Sequence, residues 1–288
     1  MNRIALGTAQ FGLDYGIANT RGQISLSEAQ SILARAKLAG IDTIDTAISY
    51  GESQRTLGQI ATQEWRIVSK VPSVPESCRD PYGWTRESVK GAIKALNVNK
   101  LFGMLLHNVG QSPAMRDESW RALSDLKKEQ RIDKIGISIY EPTELELIPR
   151  TYSLDIVQAP LSILDRRLVS TGWMKRLTSM SVEIHVRSVF LQGLMLLPPS
   201  KRPPQFRRWA GVFARVDRWL HEAHVTPLEA CLGFALSFPE IGRVVVGVDT
   251  EAQLDQILAA TSQAVPPIPD DLLTSDIDLL NPSRWGTL

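Results

Sequence analysis

The stretch Ile41-Asp-Thr-Ile-Asp-Thr-Ala-Ile-Ser-Tyr-Gly51 decides how this chain folds, because a short apolar run passes directly into an acid and then a phenol. These two groups are Asp45 and Tyr50. Two later apolar runs also end in a polar side chain, the first at Lys70 and the second at His107. If the three runs are successive strands of one parallel barrel, all four side chains lie at its C-terminal rim, where such barrels carry their chemistry. We therefore expect them to form one site.

Short apolar runs alternate with longer amphipathic segments along the chain, which is typical of a parallel sheet wrapped by helices. The clearest helix, Ser27–Leu38, follows a capping box formed by Ser25 and Glu28 and ends before Gly40. Eight strand–helix units without a flexible linker predict an α/β fold with a single (β/α)8 TIM barrel domain over residues 1–288. The predicted strands begin at Arg3, Ile41, Arg66, Leu101, Lys134, Leu154, Glu183 and Arg243.

Two segments lie outside this alternation. Residues 191–205 are rich in Pro and Leu and are expected to form a long rim loop of the kind that covers a ligand. The C-terminal tail, residues 266–288, is rich in Pro and Asp and is expected to pack on the barrel.

The composition excludes several classes of function. The 288 residues are 43% hydrophobic and 22% charged, with a net charge of +1, so nucleic acid and anionic membranes are not expected partners. Cys78 and Cys231 are far apart and lack metal-ligand spacing, so we expect neither a disulfide framework nor a metal site. With no apolar signal region, the sequence indicates a cytoplasmic protein, while its oligomeric state stays open.

The four rim residues are suited to proton transfer. A tyrosine with a pKa near ~10 is a poor acid at neutral pH, and a nearby lysine ammonium is expected to lower that pKa. On this hypothesis Tyr50 is the acid, Lys70 and Asp45 tune it, and His107 polarises or orients a carbonyl oxygen. No nucleophile is paired with a base, so covalent acyl transfer is a poor interpretation.

These motifs resemble the catalytic tetrad of the aldo-keto reductases. The resemblance rests on Gly7-Thr8 after the first strand, on Asp45-Thr-Ala-x-x-Tyr50-Gly-x-Ser53, and on Lys70 and Leu105-Leu-His107 at later strand ends. It continues in the family's order to about Leu258, through Lys134-Ile-Gly-Ile-Ser138, Gln158, Leu164-Asp-Arg-Arg167 and Val244-Val-Val-Gly247.

The resemblance implies a reductase of small carbonyl compounds, with NADP(H) as the usual cofactor, NAD(H) as the alternative, and no metal. Tyr50 and His107 then contact the substrate, and Phe11 and Tyr15 are further candidates for the substrate wall. The phrase Gly7-Thr-Ala-Gln-Phe-Gly-Leu-Asp-Tyr-Gly-Ile-Ala-Asn19 resembles that of a subgroup associated with bacterial carbohydrate metabolism, which implies a sugar-like carbonyl. The implied cofactor contacts are Gly7, Thr8, Asp45, Ser138, Gln158, Arg187, Ser188, Phe190, Gln192, Gly193, Gly247, Val248, Asp249, Thr250 and Gln253.

Three positions depart from the family pattern. Ile139 stands where the family usually has Asn, and Arg187 stands where an aromatic ring usually stacks on the nicotinamide. Gln253 replaces the arginine that commonly binds the 2′-phosphate of NADP, and Asp249 adds a negative charge nearby. Asp249 and Gln253 keep open an NAD-dependent aldose or alcohol dehydrogenase that runs the same chemistry in reverse. A weakly catalytic cofactor-binding subunit is a further alternative, against which the intact tetrad argues.

Overall fold

The computed structural model describes residues 2–60 and 62–287, and its eight strands close into one parallel barrel in chain order. The ring is completed where the first strand pairs with the last, with Ile4 opposite Val244 and Gly7 opposite Gly247. The predicted (β/α)8 barrel is therefore confirmed. The strands are β1 Ile4–Gly7, β2 Thr43–Asp45, β3 Arg66–Val71, β4 Leu101–Leu106, β5 Ile132–Ser138, β6 Ile156–Pro160, β7 Glu183–Arg187 and β8 Ile241–Gly247.

Helices cover the outside of the barrel between successive strands. After β5 the chain forms a 3-10 helix, Pro142–Leu147, where the sequence predicts a helix near Thr143–Ile148. Thr226 and Glu229 form a capping box before Pro227: the Thr226 hydroxyl accepts the Glu229 N–H, and the Glu229 carboxylate accepts the Thr226 N–H. The α-helices are α1 Leu26–Leu38, α2 Ser53–Gln59, α3 Pro81–Ala95, α4 Pro113–Lys128, α5 Arg167–Ser170, α6 Trp173–Ser179, α7 Ala210–Ala223, α8 Pro227–Leu236, α9 Glu251–Ala260 and α10 Ile277–Leu280.

The apolar residues form two packed regions. A small cluster of Val68, Leu105 and Ile156 packs together apart from the large core that joins strands and helices. Side chains alternate along a strand, so Lys70, two residues beyond Val68 on β3, lies on the same face of the sheet. Lys70 is therefore buried near the C-terminal end of the barrel.

The tail packs against the segment that directly follows the rim loop. Trp285 is buried and meets Phe206 edge to face, with ring centroids 4.9 Å apart, and its indole nitrogen donates to the carbonyl oxygen of Asp278 over 3.0 Å. Leu288, the last residue of the predicted tail, lies outside the described residues. Across the described ranges, no helix is long and apolar enough to cross a membrane.

Candidate active site

Asp45, Lys70 and Tyr50 form a connected group at the C-terminal end of the barrel. The Lys70 ammonium donates to Asp45 Oδ1 over 2.6 Å and to the Thr46 carbonyl oxygen over 3.0 Å, and lies 3.5 Å from the Tyr50 hydroxyl. From across the barrel, the Gln158 amide donates to Asp45 Oδ2 over 2.7 Å. Both carboxylate oxygens of Asp45 are therefore occupied, which fixes the position of the lysine.

The turn after β2 holds Tyr50 in place. Ser53 donates its backbone N–H to the Tyr50 carbonyl oxygen over 3.0 Å, and the Ser53 hydroxyl donates to the Thr8 carbonyl oxygen over 2.8 Å. Gly51 has a φ of 52°, and a Cβ there would lie 2.4 Å from the Gly12 carbonyl oxygen. Only glycine fits this position without displacing the backbone, so the turn is tightly specified.

His107 directly follows β4 and faces the same group. Its ring centroid lies 5.8 Å from that of Tyr50, in an edge-on arrangement, and its Nδ1 lies 3.1 Å from the Ser49 hydroxyl. Burial, with further contributions from the charges of Lys70 and Arg187, lowers the pKa of His107 to about 3. The imidazole is therefore neutral near pH 7.

The ionisation of Tyr50 differs from the prediction made from the sequence. Burial is the main cause that raises the pKa of the Tyr50 hydroxyl, and the Asp45 carboxylate raises it further. Burial also lowers the pKa of Lys70, against the opposing effect of Asp45. The sequence predicts a lowered pKa for Tyr50, and this prediction is wrong in net direction, because burial outweighs the lowering effect of the Arg187 charge.

These groups open into a cavity of about 610 Å³ at the rim. Tyr15 lies in its wall, as predicted, but Phe11 does not: it is fully buried in the core, so the prediction that it contacts substrate is corrected. Of the residues predicted to contact substrate or cofactor, those in the wall are Gly7, Thr8, Tyr15, Asp45, Tyr50, His107, Arg187, Ser188, Phe190, Gln192, Gly193, Gly247, Val248, Asp249 and Gln253.

Four other predicted residues are not part of the wall. Lys70, Ser138 and Gln158 are buried behind it, and the Thr250 hydroxyl caps α9 by accepting the Gln253 N–H over 3.1 Å. Sequence reasoning missed Ser49 beside His107, and also Tyr140, which lines the cavity two residues beyond β5.

The site has features that fit a nicotinamide cofactor. Among the described residues, Gln158 Oε1 and Asp249 Oδ1 are buried acceptors without a hydrogen-bond partner. Asp249 lines the cavity, so a ribose hydroxyl would satisfy its oxygen, whereas Gln158 Oε1 lies behind the wall next to the Asp45 carboxylate. Within residues 2–60 and 62–287, no group of three or more His, Cys, Asp or Glu side chains is arranged to hold a metal ion.

Comparison with known proteins identifies the family. The model of the aldo/keto reductase family matches residues 3–269, so the chain belongs to this family, whose members are oxidoreductases that use nicotinamide cofactors.

The individual relatives are distant. An uncharacterized oxidoreductase of Schizosaccharomyces pombe is 31% identical over 134 residues, which is 44% of this chain and 48% of that protein, so the match spans about half of the relative. Two solved structures share the fold. An aldo-keto reductase of Bacillus halodurans in its holo form has a TM-score of 0.72 and 20% identity over 92% of this chain and 88% of its own. The glycerol dehydrogenase of Gluconobacter oxydans has a TM-score of 0.70 and 16% identity over 97% and 91%.

Proposed function

We propose that this chain is an NAD(P)H-dependent reductase of a small aldehyde or ketone, with Tyr50 as the proton donor. The observation that carries the proposal is the position of the Lys70 ammonium, 2.6 Å from the Asp45 carboxylate and 3.5 Å from the Tyr50 hydroxyl, beside an open cavity. Family membership supports the same reaction class.

In the proposed mechanism Tyr50 transfers its proton as the carbonyl carbon is reduced. The bound nicotinamide supplies the hydride. The raised pKa of the Tyr50 hydroxyl keeps it a neutral phenol until the carbonyl oxygen of the substrate gains negative charge and takes the proton. Lys70 then stabilises the phenolate, Asp45 keeps Lys70 in place, and solvent returns a proton to Tyr50 after the alcohol leaves.

His107 has an orienting role in this proposal. A neutral imidazole has one donor and one acceptor nitrogen. When the Ser49 hydroxyl donates to Nδ1, the hydrogen remains on Nε2 and can be donated to the carbonyl oxygen. Ser49 therefore acts as a positioning residue that selects the tautomer of His107.

The proposed cofactor end of the cavity has the Asp249 carboxylate in its wall, and Glu251 follows two residues later at the start of α9. The N–H of Glu251, the first residue of α9, donates to Glu28 Oε1 over 3.2 Å, and the Gln253 side chain accepts the Asp249 N–H over 2.7 Å. Carboxylates here disfavour a 2′-phosphate and can accept bonds from an unphosphorylated ribose. We infer that the chain takes both cofactors, with NADP(H) favoured modestly or NAD(H) accepted about equally.

The cations near this end are few. Arg243 is at the opposite end of the barrel, where it pairs with Asp42 over 3.1 Å, so it does not reach the phosphate. The positive charge of Arg21 does act on Asp249, although burial has the larger effect and raises the pKa of that carboxyl. This acidic end keeps a second candidate open, an NAD-dependent alcohol or aldose dehydrogenase that uses the same residues in the reverse direction.

The test is the substitution Tyr50→Phe, assayed by the loss of nicotinamide absorbance with a panel of aldehydes. Because the phenol donates the proton but does not hold the dinucleotide, we expect turnover to fall by about a hundredfold or more. Cofactor affinity, measured by quenching of protein fluorescence, should stay close to that of the wild type. Tyr82→Phe, which removes a hydroxyl bonded to Asp125 on the outer helices, is the matched control. Turnover within a few-fold of wild type in Tyr50→Phe contradicts the mechanism, and no turnover by the wild type contradicts the proposed activity.

A further inference from the structure

Arg187 brings a positive charge into the cavity wall. It ends β7, and its guanidinium lies over the ring of Tyr140, 4.6 Å from the ring centroid. It donates to the Ile139 carbonyl oxygen over 3.0 Å and to the Ser188 hydroxyl over 3.1 Å. A guanidinium has five N–H groups. Within the described residues only two are used, which leaves donors for a ligand.

No carboxylate of the described part of the chain lies within 4.0 Å of this guanidinium. The charge of Arg187 acts on the Glu144 carboxylate, but the two groups do not form an ion pair. The Glu144 carboxylate instead accepts the N–H groups of Tyr140 and Glu141 over 2.8 and 2.7 Å. The positive charge of Arg187 is therefore not neutralised by a direct ion pair.

The two carboxylates in the cavity wall, those of Asp45 and Asp249, do not neutralise Arg187 either. Asp45 is held by Lys70 and Gln158, so that pair contributes no net charge. Asp249 responds to the charges of Arg21 and Asp14 rather than to that of Arg187. The end of the cavity where Tyr50 lies thus carries a net positive charge.

Arg187 lies close to the reacting groups. Its charge acts on both Tyr50 and His107. It opposes the burial that raises the pKa of Tyr50, and it adds to the burial that lowers the pKa of His107. The phenols of Tyr15 and Tyr140 line the same part of the wall and can donate hydrogen bonds. Arginine and hydroxyl donors around an unpaired charge form the donor set that recognises a carboxylate.

We propose that Arg187 is a specificity residue that selects carbonyl substrates carrying a carboxylate group, assisted by the hydroxyls of Tyr15 and Tyr140. The inference rests on the proposed carbonyl reductase function and names the class of its substrate, an oxo acid or an aldehyde acid. It also gives a reason for arginine at a position where the family usually has an aromatic ring.

The first experiment measures discrimination between matched aldehydes. The pair is 4-carboxybenzaldehyde, which is an anion at neutral pH, and its neutral methyl ester. The wild type should prefer the anion in kcat/KM, and Arg187→Gln should lower the anion-to-ester ratio by about ten- to a hundredfold, mainly through KM. Arg187→Lys should keep part of the preference. Arg55→Gln, which removes an exposed positive charge paired with Glu52 on α2, should leave the ratio unchanged.

The second experiment needs no turnover. Calorimetry compares benzoate with benzamide, its neutral analogue, as ligands of the enzyme–NADP+ complex, in wild type and Arg187→Gln. We expect benzoate to bind more tightly to the wild type only, and its affinity to fall with added salt.

The outcomes separate this inference from the proposed function. Equal use of the two aldehydes, together with equal binding of benzoate and benzamide, overturns the inference and leaves carbonyl reduction intact. A loss of cofactor affinity in Arg187→Gln with an unchanged ratio assigns Arg187 to the cofactor and likewise overturns it. Failure to reduce either aldehyde or any of the panel overturns the proposed function, while the benzoate measurement still decides whether the cavity binds carboxylates.

Discussion

We expect the imidazole of His107 to stay neutral over the whole pH range in which the protein stays folded. Burial is the main cause that lowers its pKa to about 3, so a neutral ring with a free N–H faces the cavity. We predict that the His107 ring resonance in an NMR titration does not move between pH 8 and about pH 5. The variant His107→Gln assigns the resonance, and a midpoint near the ordinary value of about 6.5 contradicts the prediction.

The same shift makes His107 a source of acid sensitivity. Its folded pKa lies below the unfolded value, so the unfolded chain binds a proton more readily. The stabilisation associated with the neutral ring is complete above about pH 6.5 and is lost as the pH falls toward 3. The urea midpoint of His107→Gln should therefore fall less steeply than that of the wild type over this window.

At the same scale, strand ends could be predicted from the sequence and loop side chains could not. Asp45, Lys70 and His107 meet because parallel strands bring their carboxyl ends to one edge, which apolar periodicity reveals. Phe11 belongs to a 3-10 turn after β1, where no alternation says which side chain faces inward. Tyr140 lies likewise beyond the end of its strand, so its place in the cavity depends on a turn that periodicity does not describe.

Among the elements, the start of β7 carries an ion-paired cluster at the end of the barrel opposite the site. Glu183 bonds His185 Nε2 over 2.9 Å and also pairs with Lys134. Burial alone raises the pKa of Glu183, but the bonds from His185 and Lys134 outweigh it and lower the pKa to about 2. This stabilisation is present above the unfolded pKa of about 4.3 and is lost as the pH falls toward 2.

We predict that Glu183→Gln lowers the free energy of unfolding at pH 7 by about 1–2 kcal/mol. The difference from wild type should shrink as the pH falls below about 4. Urea unfolding at several pH values measures it. The control is Glu118→Gln, an exposed carboxylate paired with Arg121 on α4, which should change stability little. A difference that stays constant down to pH 3 contradicts the assigned pKa.

The capping motif at the start of α1 contributes a hydrogen bond to another helix, α9. Ser25 accepts the Glu28 N–H over 3.2 Å, which gives one half of the predicted capping box, but the Glu28 carboxylate accepts the Glu251 N–H instead of a bond at its own helix. The sequence shows a Ser-x-x-Glu motif, yet only the closed barrel brings α1 beside α9. The Glu28 carboxylate therefore caps the first turn of α9 rather than that of α1.

This acidic helix start leads to a prediction about cofactor choice. We expect Gln253→Arg to tighten NADPH binding relative to NADH by about tenfold, because a guanidinium forms charge-assisted bonds with the 2′-phosphate. Fluorescence quenching by both reduced cofactors gives the ratio. Gln263→Arg, beyond the end of α9, is the matched control. A native preference for NADPH of about a thousandfold, or about 4 kcal/mol, means that another cation holds the phosphate and contradicts this interpretation.

For the whole molecule, the tail packs against the segment that follows the rim loop, and both the loop and the tail contribute to the cavity wall. Trp285 packs on Phe206, while Leu196 of the loop and Ser283 of the tail both line the cavity. Trp209, at the end of the loop region, donates its indole N–H to Asp276 of the tail over 2.8 Å. Disturbing the tail should therefore affect both folding stability and ligand binding.

We predict that Trp285→Ala lowers the free energy of unfolding by about 3–5 kcal/mol, since it removes a buried aromatic ring and leaves a cavity. The same variant should bind the reduced cofactor more weakly, because Phe206, next to the loop whose Leu196 lines the cavity, loses its packing partner. Urea unfolding and fluorescence quenching measure the two effects on the same samples. The control is Trp84→Ala on α3, a half-buried ring away from the cavity, which should reduce stability without weakening cofactor binding. If Trp285→Ala loses stability but binds cofactor as tightly as Trp84→Ala does, the tail supports the barrel and takes no part in closing the site.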